Sequence, residues 1–247
     1  MKQIIGAPLH LAAIGFWQPT EGENAAPEAN LLGARARGRA SQLTLMFAEV
    51  LGQALAGSGI NSEEVALIFG SALGEMERLI QLLTTLHGPT HDISPLRFQT
   101  SVHNASAGQI SIALKNPNFS NSLAAGRNTV AMGFVEAAVW MHTRQTPLVL
   151  VLGDEAPPPE LHVGSTYAPL AAAFAFLPEA IPAQPSATFQ LVATPSASHN
   201  PEWADTPAII GNPCRLLEPL VSWLRAGTMD RFELSSGGPT QYGIERR

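Results

Sequence analysis

Few side chains in this sequence are of a type, and at a spacing, that does chemistry. The single cysteine, Cys214, follows Asn212-Pro213. Asn as a cap and Pro at the first helical position make a good helix start, and a helix N-terminus can depress a thiol's pKa. No histidine accompanies Cys214 in sequence, however, and a lone cysteine is ordinarily a small core hydrophobe. A buried, inert thiol is expected. The consecutive acids Asp154 and Glu155 have the types of an acid/base couple. They close an apolar run that reads as a strand, and strand neighbours point to opposite faces, so they cannot converge on one substrate. A structural role is expected for both.

Other tempting groups are weaker. Gly70-Ser71-Ala72-Leu73-Gly74 does not have the G-x-S-x-G order of a hydrolase elbow. His87, His91 and His103 are not at metal-ligand spacing and no Cys joins them, so no metal site is expected. The Met and Leu stripes read as core packing, and no cofactor is expected. His103-Asn104 is expected to satisfy a buried backbone group, and Ser122 to pack or hydrogen-bond locally. The basic run Arg35-Ala-Arg37-Gly-Arg39 lies in a Pro/Gly/Asn-rich loop; such runs are commonly solvated or paired with carboxylates.

The elements that must position these groups follow from periodicity. Leu9 to Phe16 reads as the first core strand, since Pro8 and His10 and the lack of a cleavage pattern argue against a signal peptide. Leu43, Met46, Phe47, Val50, Leu51, Ala54 and Leu55 mark an amphipathic helix ending at Gly57. Val65 to Phe69 is a strand; Met76, Leu79, Ile80, Leu83 and Leu86 form a helix stopped near Gly88-Pro89. Ser101 to Leu114, dense in Ala, Ser and Gly, reads as a buried helix, broken by Asn116-Pro117-Asn118. Phe119 to Ala124 is extended, Gly126 follows a bend, and Val130, Phe134, Ala138 and Met141 recur at helical spacing before the strand Leu148 to Leu152. Alternating strands and helices imply parallel pairing through right-handed crossovers. Beyond Asp154, Tyr167 to Leu177 and Phe189 to Val192 read as strands that extend the sheet as a meander. A helix through Leu216, Leu217, Leu220 and Leu224 stops at Gly227, with Pro219 bending it or shifting its start, and Arg231 to Leu234 is the last strand.

Composition narrows the function classes. With 45% hydrophobic and 14% charged residues the chain is expected to be compact. A net charge of −6 argues against nucleic acid, which needs clustered Lys and Arg. One cysteine fits a reducing compartment, and no run reaches the roughly 18 apolar residues of a membrane span. A soluble, cytoplasmic protein is expected.

The order of elements from Ser101 to Asp154, with its small residues, resembles the β-ketoacyl synthase family of the thiolase fold. It looks most like the short N-terminal-type proteins that act as chain-length-factor partners of a true ketosynthase. The resemblance runs from about Ala13 to Glu155. Residues 65–75 (VALIFGSALGE) are similar to the family's strand and small-residue turn. Residues 94–108 (SPLRFQTSVHNASAG) are similar to the loop and helix that approach the dimer axis. Residues 121–126 (NSLAAG) fall where active members carry the nucleophile elbow, with Ala125 at the position of the nucleophilic cysteine. The resemblance implies an α/β fold, a thiolase-like layered α/β/α arrangement in a single ketosynthase-like domain, 1–247. Its thiolase-like half would be 1–155, with 156–247 a reduced C-terminal part.

A condensing enzyme needs a thiolate to hold the acyl chain as a thioester, and alanine offers no lone pair. Active members also carry histidines and a lysine in His-Gly-Thr and Asn-x-x-Gly-x-Gly-Gly contexts; neither occurs after Val163, where His199 is the only histidine. The resemblance therefore implies a non-catalytic subunit that pairs with an active β-ketoacyl synthase in polyketide, aryl-polyene or fatty-acid-type biosynthesis. Its acyl-tunnel and interface residues would be Leu96, Arg97, Phe98, Val102, His103, Asn104, Phe119, Ser120, Asn121, Ser122 and Phe134. Arg35, Arg37 and Arg39 would receive the acidic surface of an acyl carrier protein. Two rivals stand beside it: a lone decarboxylase of malonyl-carrier working through an oxyanion hole, and a scaffold that only stabilises the synthase.

Overall fold

A 15-residue strand, β1 (Gln3–Trp17), lies inside the one sheet that organises the chain. The computed structural model describes residues 1–19, 26–89, 91–161, 167–178, 187–196, 211–227, 230–235 and 238–247. The sheet's other strands are β2 (Ala66–Gly70), β3 (Ser120–Leu123), β4 (Leu148–Asp154), β5 (Leu170–Leu177), β6 (Ala187–Pro195), β7 (Arg231–Glu233) and β8 (Thr240–Arg246). Their order is β3-β2-β4-β5-β1-β6-β8-β7. The helices are α1 (Ala34–Arg37), α2 (Gln42–Ser58), α3 (Met76–His87), α4 (Pro95–Gln99), α5 (Ala105–Ala113), α6 (Thr129–Thr143) and α7 (Leu217–Ala226). Among the described residues no helix is long and apolar enough to cross a membrane.

Helices cover both faces, which makes the layered α/β/α arrangement. Along β5, Ala172, Phe174 and Phe176 face the core under α6 and α7, while Ala171, Ala173 and Ala175 face α2 and α5. Every residue of β4 and β5 is buried, so these strands read as continuous apolar runs rather than alternating ones. Small residues let the layers approach. A Cβ on Gly15 would lie 2.0 Å from the Val50 carbonyl oxygen of α2, and one on Gly6, whose φ is +63°, 2.4 Å from the Ala138 oxygen of α6.

Several expectations are corrected. Only β3, β2 and β4 are parallel; β1 pairs antiparallel with β5 along its second half and with β6 along its first. The C-terminal strands therefore do not meander, because β1 separates β5 from β6. A further strand, β8, follows Arg231–Glu233 and pairs with β6. Helix α2 runs past Gly57 to a left-handed cap at Gly59. Asn212 caps no helix: its amide donates to Asp154 O and Ala168 O while its Oδ1 accepts from the Cys214 backbone. Helix α7 starts at Leu217, which puts Pro219 in its first turn, where no intrahelical donor is needed. Helix α5 begins at Ala105 and buries one face, leaving Ile112 78% exposed.

Gly15→Ala forces a backbone shift and is expected to destabilise the protein by roughly 1–3 kcal/mol or to prevent folding. Gly108→Ala, where a Cβ meets nothing within 4 Å, is expected to stabilise α5 by up to about 1 kcal/mol. Urea denaturation followed by circular dichroism separates the two, and equal midpoints would contradict the close approach of β1 to α2.

Candidate functional site

The bend between β3 and α6 consists of Leu123, Ala124 and Ala125, then a single 3₁₀ turn over Gly126–Asn128. None of the three carries a nucleophilic atom. The bend is closed from within. Thr129 Oγ accepts the Ala125 N–H at 3.0 Å and donates to Gly126 O at 2.7 Å, while Asn128 N–H donates to Ala125 O at 3.0 Å. The Ala125 N–H is thus already engaged.

A cleft of about 650 Å³ beside the bend is lined by His103, Asn104, Ser111, Asn118, Ser120 and Ser122 among others. His103 Nε2 lies 2.9 Å from Ser71 O, so that nitrogen carries the proton and donates. Ser122 Oγ is buried without a hydrogen-bond partner among the described residues. Serine and histidine share a cleft without bonding, so no base activates the hydroxyl. His199 lies outside the described residues.

Both acids are buried at the C-terminal end of β4. Asp154 accepts from Ser71 Oγ at 2.6 Å, from the Ala72 and Leu73 N–H groups at 3.1 and 3.0 Å, and from the Cys214 thiol at 3.0 Å. Burial raises its pKa, although these donors pull the other way. Cys214 is fully buried, and burial together with the Asp154 charge raises its pKa well above the usual thiol value. That is the opposite of an activated nucleophile. Glu155 turns the other way and accepts from the Leu43 N–H of α2 at 3.3 Å and the Glu77 N–H of α3 at 3.1 Å. Burial pushes it up to about 7, helped by the Glu75 and Glu77 charges. Glu75, which the sequence reading passed over, accepts from Ser106 Oγ at 2.5 Å and Thr44 Oγ at 3.2 Å, and burial raises its pKa too. Its position at the first turn of α3, just after Gly74, was the available signal, since acids favour helix N-termini. Among the described residues no three His, Cys, Asp or Glu side chains gather as a metal site.

The remaining candidate residues divide. Leu96, Phe98, Val102 and Phe119 are 56%, 59%, 37% and 40% exposed, around α4 and the free edge of β3. Phe119 stacks on Trp140 with ring centroids 4.4 Å apart. Leu96, Arg97, Val102 and Asn104 line a groove of about 660 Å³ that Arg39 and Arg78 also enter. Phe134 does not belong with them: it is 2% exposed and packs on Phe174 and Phe176, because its face of α6 turns into the sheet. Arg37 is engaged with Glu28 O and Asn30 Oδ1, leaving Arg39 as the member of the basic run that lines the groove.

A model of the β-ketoacyl synthase N-terminal domain matches residues 16–212. No curated protein matches the chain in sequence. Among solved structures, the chain is similar to one from the complex of a ketosynthase (ApeO) with its chain length factor (ApeC) from Xenorhabdus doucetiae. There the TM-score is 0.69 at 23% identity, over 97% of this chain and 100% of that one. A chain of the ishigamide ketosynthase/chain length factor superposes with a TM-score of 0.61 at 14% identity, over 79% of this chain and 69% of that one. A chain of the AntDE:AntF complex, a type II polyketide synthase carrier protein with its ketosynthase, reaches a TM-score of 0.73 at 10% identity, over 98% and 99%. These likenesses show a thiolase-like ketosynthase fold.

Because Glu155 keeps its proton to a higher pH folded than unfolded, its contribution to stability is complete below the unfolded value of 4.5 and is lost as pH rises through about 7. Wild-type stability is expected to fall between pH 5 and pH 8, by at most on the order of 3 kcal/mol from this group. Glu155→Gln should flatten that slope in urea midpoints taken across the range; an unchanged slope would show that the carboxyl titrates normally.

Proposed function

The chain belongs to the β-ketoacyl synthase family, and on that footing we propose that it is a non-catalytic, chain-length-factor-like subunit that pairs with an active ketosynthase. The observation that carries this reading is the bend at 123–125. It keeps the strand–turn–helix scaffold, holds no nucleophile, and has its Ala125 N–H taken by Thr129. With no thiolate and the Ala125 N–H already bonded, condensation has no nucleophile there and enolate stabilisation lacks that donor.

What remains is shape. Among the described residues strand β3 is bonded on one side only, to β2, and unpaired strand edges are templates for another chain. Phe119 O accepts from Leu67 N–H, so by the alternation of a parallel ladder Ser120 and Ser122 turn their backbone groups to the open side, where the Ser122 N–H donates to Asn121 Oδ1 at 2.9 Å. A partner ketosynthase pairing here would continue the sheet across the interface. Leu96, Phe98 and Val102 beside it would then meet the partner's acyl chain and limit its length by bulk alone. The acidic carrier would approach past Arg39 and its neighbours, steered by charge.

Two experiments test this. Co-expressed with its ketosynthase, the wild-type chain is expected to co-elute as a heterodimer. Ser120→Pro, which removes an outward-facing donor and spares the bond to β2, should abolish co-elution while the chain still folds. In the assembled complex, Leu96→Trp is expected to shorten the product and Phe98→Ala to lengthen it, read by mass spectrometry of carrier-bound chains. Unchanged lengths in both would leave a stabilising role only, and turnover of malonyl-carrier by the isolated chain would overturn the non-catalytic reading.

A further inference from the structure

We propose that the groove lined by Arg39, Arg78 and Arg97 binds an anionic amphiphile, a carboxylate or phosphate head on an unbranched apolar chain. Three guanidinium groups reach it from separate places: the segment after α1, helix α3 and helix α4. Arg78 donates to Ala40 O at 3.2 Å. The guanidinium groups of Arg39 and Arg97 form no ion pair or hydrogen bond with any described residue. Among the described residues no Asp or Glu lines the groove; Glu77 and Glu160 line an adjoining cleft that Arg78 and Arg97 also border. Like charges held together raise one another's energy, and a cleft of one sign focuses its field on a counter-charge. The chain as a whole carries −6, so this concentration does not follow from a basic composition.

Part of the lining is apolar. Leu96, Val102 and Ile112 are 56%, 37% and 78% exposed there. A bare ion would not use that part, and a neutral chain would not use the arginines. A ligand with both parts uses all six side chains. The volume, about 660 Å³, lies in the range of small-ligand sites. Guanidinium forks match carboxylate and phosphate alike, so the head group is assigned only as an oxyanion. The groove shares Leu96 and Val102 with the face assigned to the ketosynthase, but the site needs no partner and is tested without one.

The test titrates decyl phosphate and decanoate, each below its micellar concentration, onto the isolated full-length chain by calorimetry at low salt. At least one is expected to bind, with affinity that falls as salt rises, and comparison of the two identifies the preferred head. Inorganic phosphate and decanol are each expected to bind at least about tenfold more weakly. Arg39→Ala combined with Arg97→Ala should weaken the preferred amphiphile by about tenfold or more and leave decanol unchanged. The wild-type urea midpoint should persist in that variant, because neither guanidinium has a partner among the described residues. Decanol binding as tightly as the amphiphiles, wild-type affinity in the double variant, or no binding by either amphiphile would each overturn the proposal. None of those results bears on co-elution with a ketosynthase, which is read separately.

Discussion

A carboxyl group taken out of water must be given donors, and the end of β4 is built around that requirement. Asp154 collects the turn after β2 and the segment that leads into α7, and the side chain of Asn212 adds a bond to the Asp154 carbonyl. Glu155 collects the starts of α2 and α3. Two consecutive residues therefore hold four separate stretches in place. The donors do not fully offset desolvation, since both acids titrate above their ordinary range. This is a framework whose strength depends on protonation, and none of its oxygens is aimed at a cleft.

Helix α6 is anchored by its apolar face, with Val130, Phe134, Ala137 and Met141 in the core. Nothing in that packing requires a thiol at the preceding bend. The Ala125 N–H at the bend would otherwise be an unsatisfied donor, and Thr129, four residues on, accepts it. The bend is a self-contained cap. Exposed features elsewhere include the edge of β3, the side chains of α4 and the arginine-lined groove beside α5.

The sequence was legible where one local pattern decides the outcome. The runs that became β2, β4 and β5 were readable because strands buried on both faces are apolar throughout. Strand β8 (TQYGIER) was not, since a Gly and two charged residues at its C-terminal end disguise it as loop, and it exists because β6 offers it an edge. Gly57 looked like a helix stop, yet the left-handed cap fell to Gly59. Phe134 looked available to a tunnel because periodicity marks an apolar stripe without saying what that stripe faces.

By itself the sequence determined that no thiol or hydroxyl stands at residues 123–125, that a lone cysteine lacks a histidine neighbour, and which stretches are apolar enough to be buried. These are properties of composition and short-range order. Only the tertiary structure decided that β1 would separate β5 from β6, that Asp154 would take a donor 60 residues away, and that Arg39, Arg78 and Arg97 would share one groove. Strand partners, buried donors and charge clusters join residues remote in the chain, and their pairing is chosen by the total burial achieved in the assembled sheet, which no local window contains.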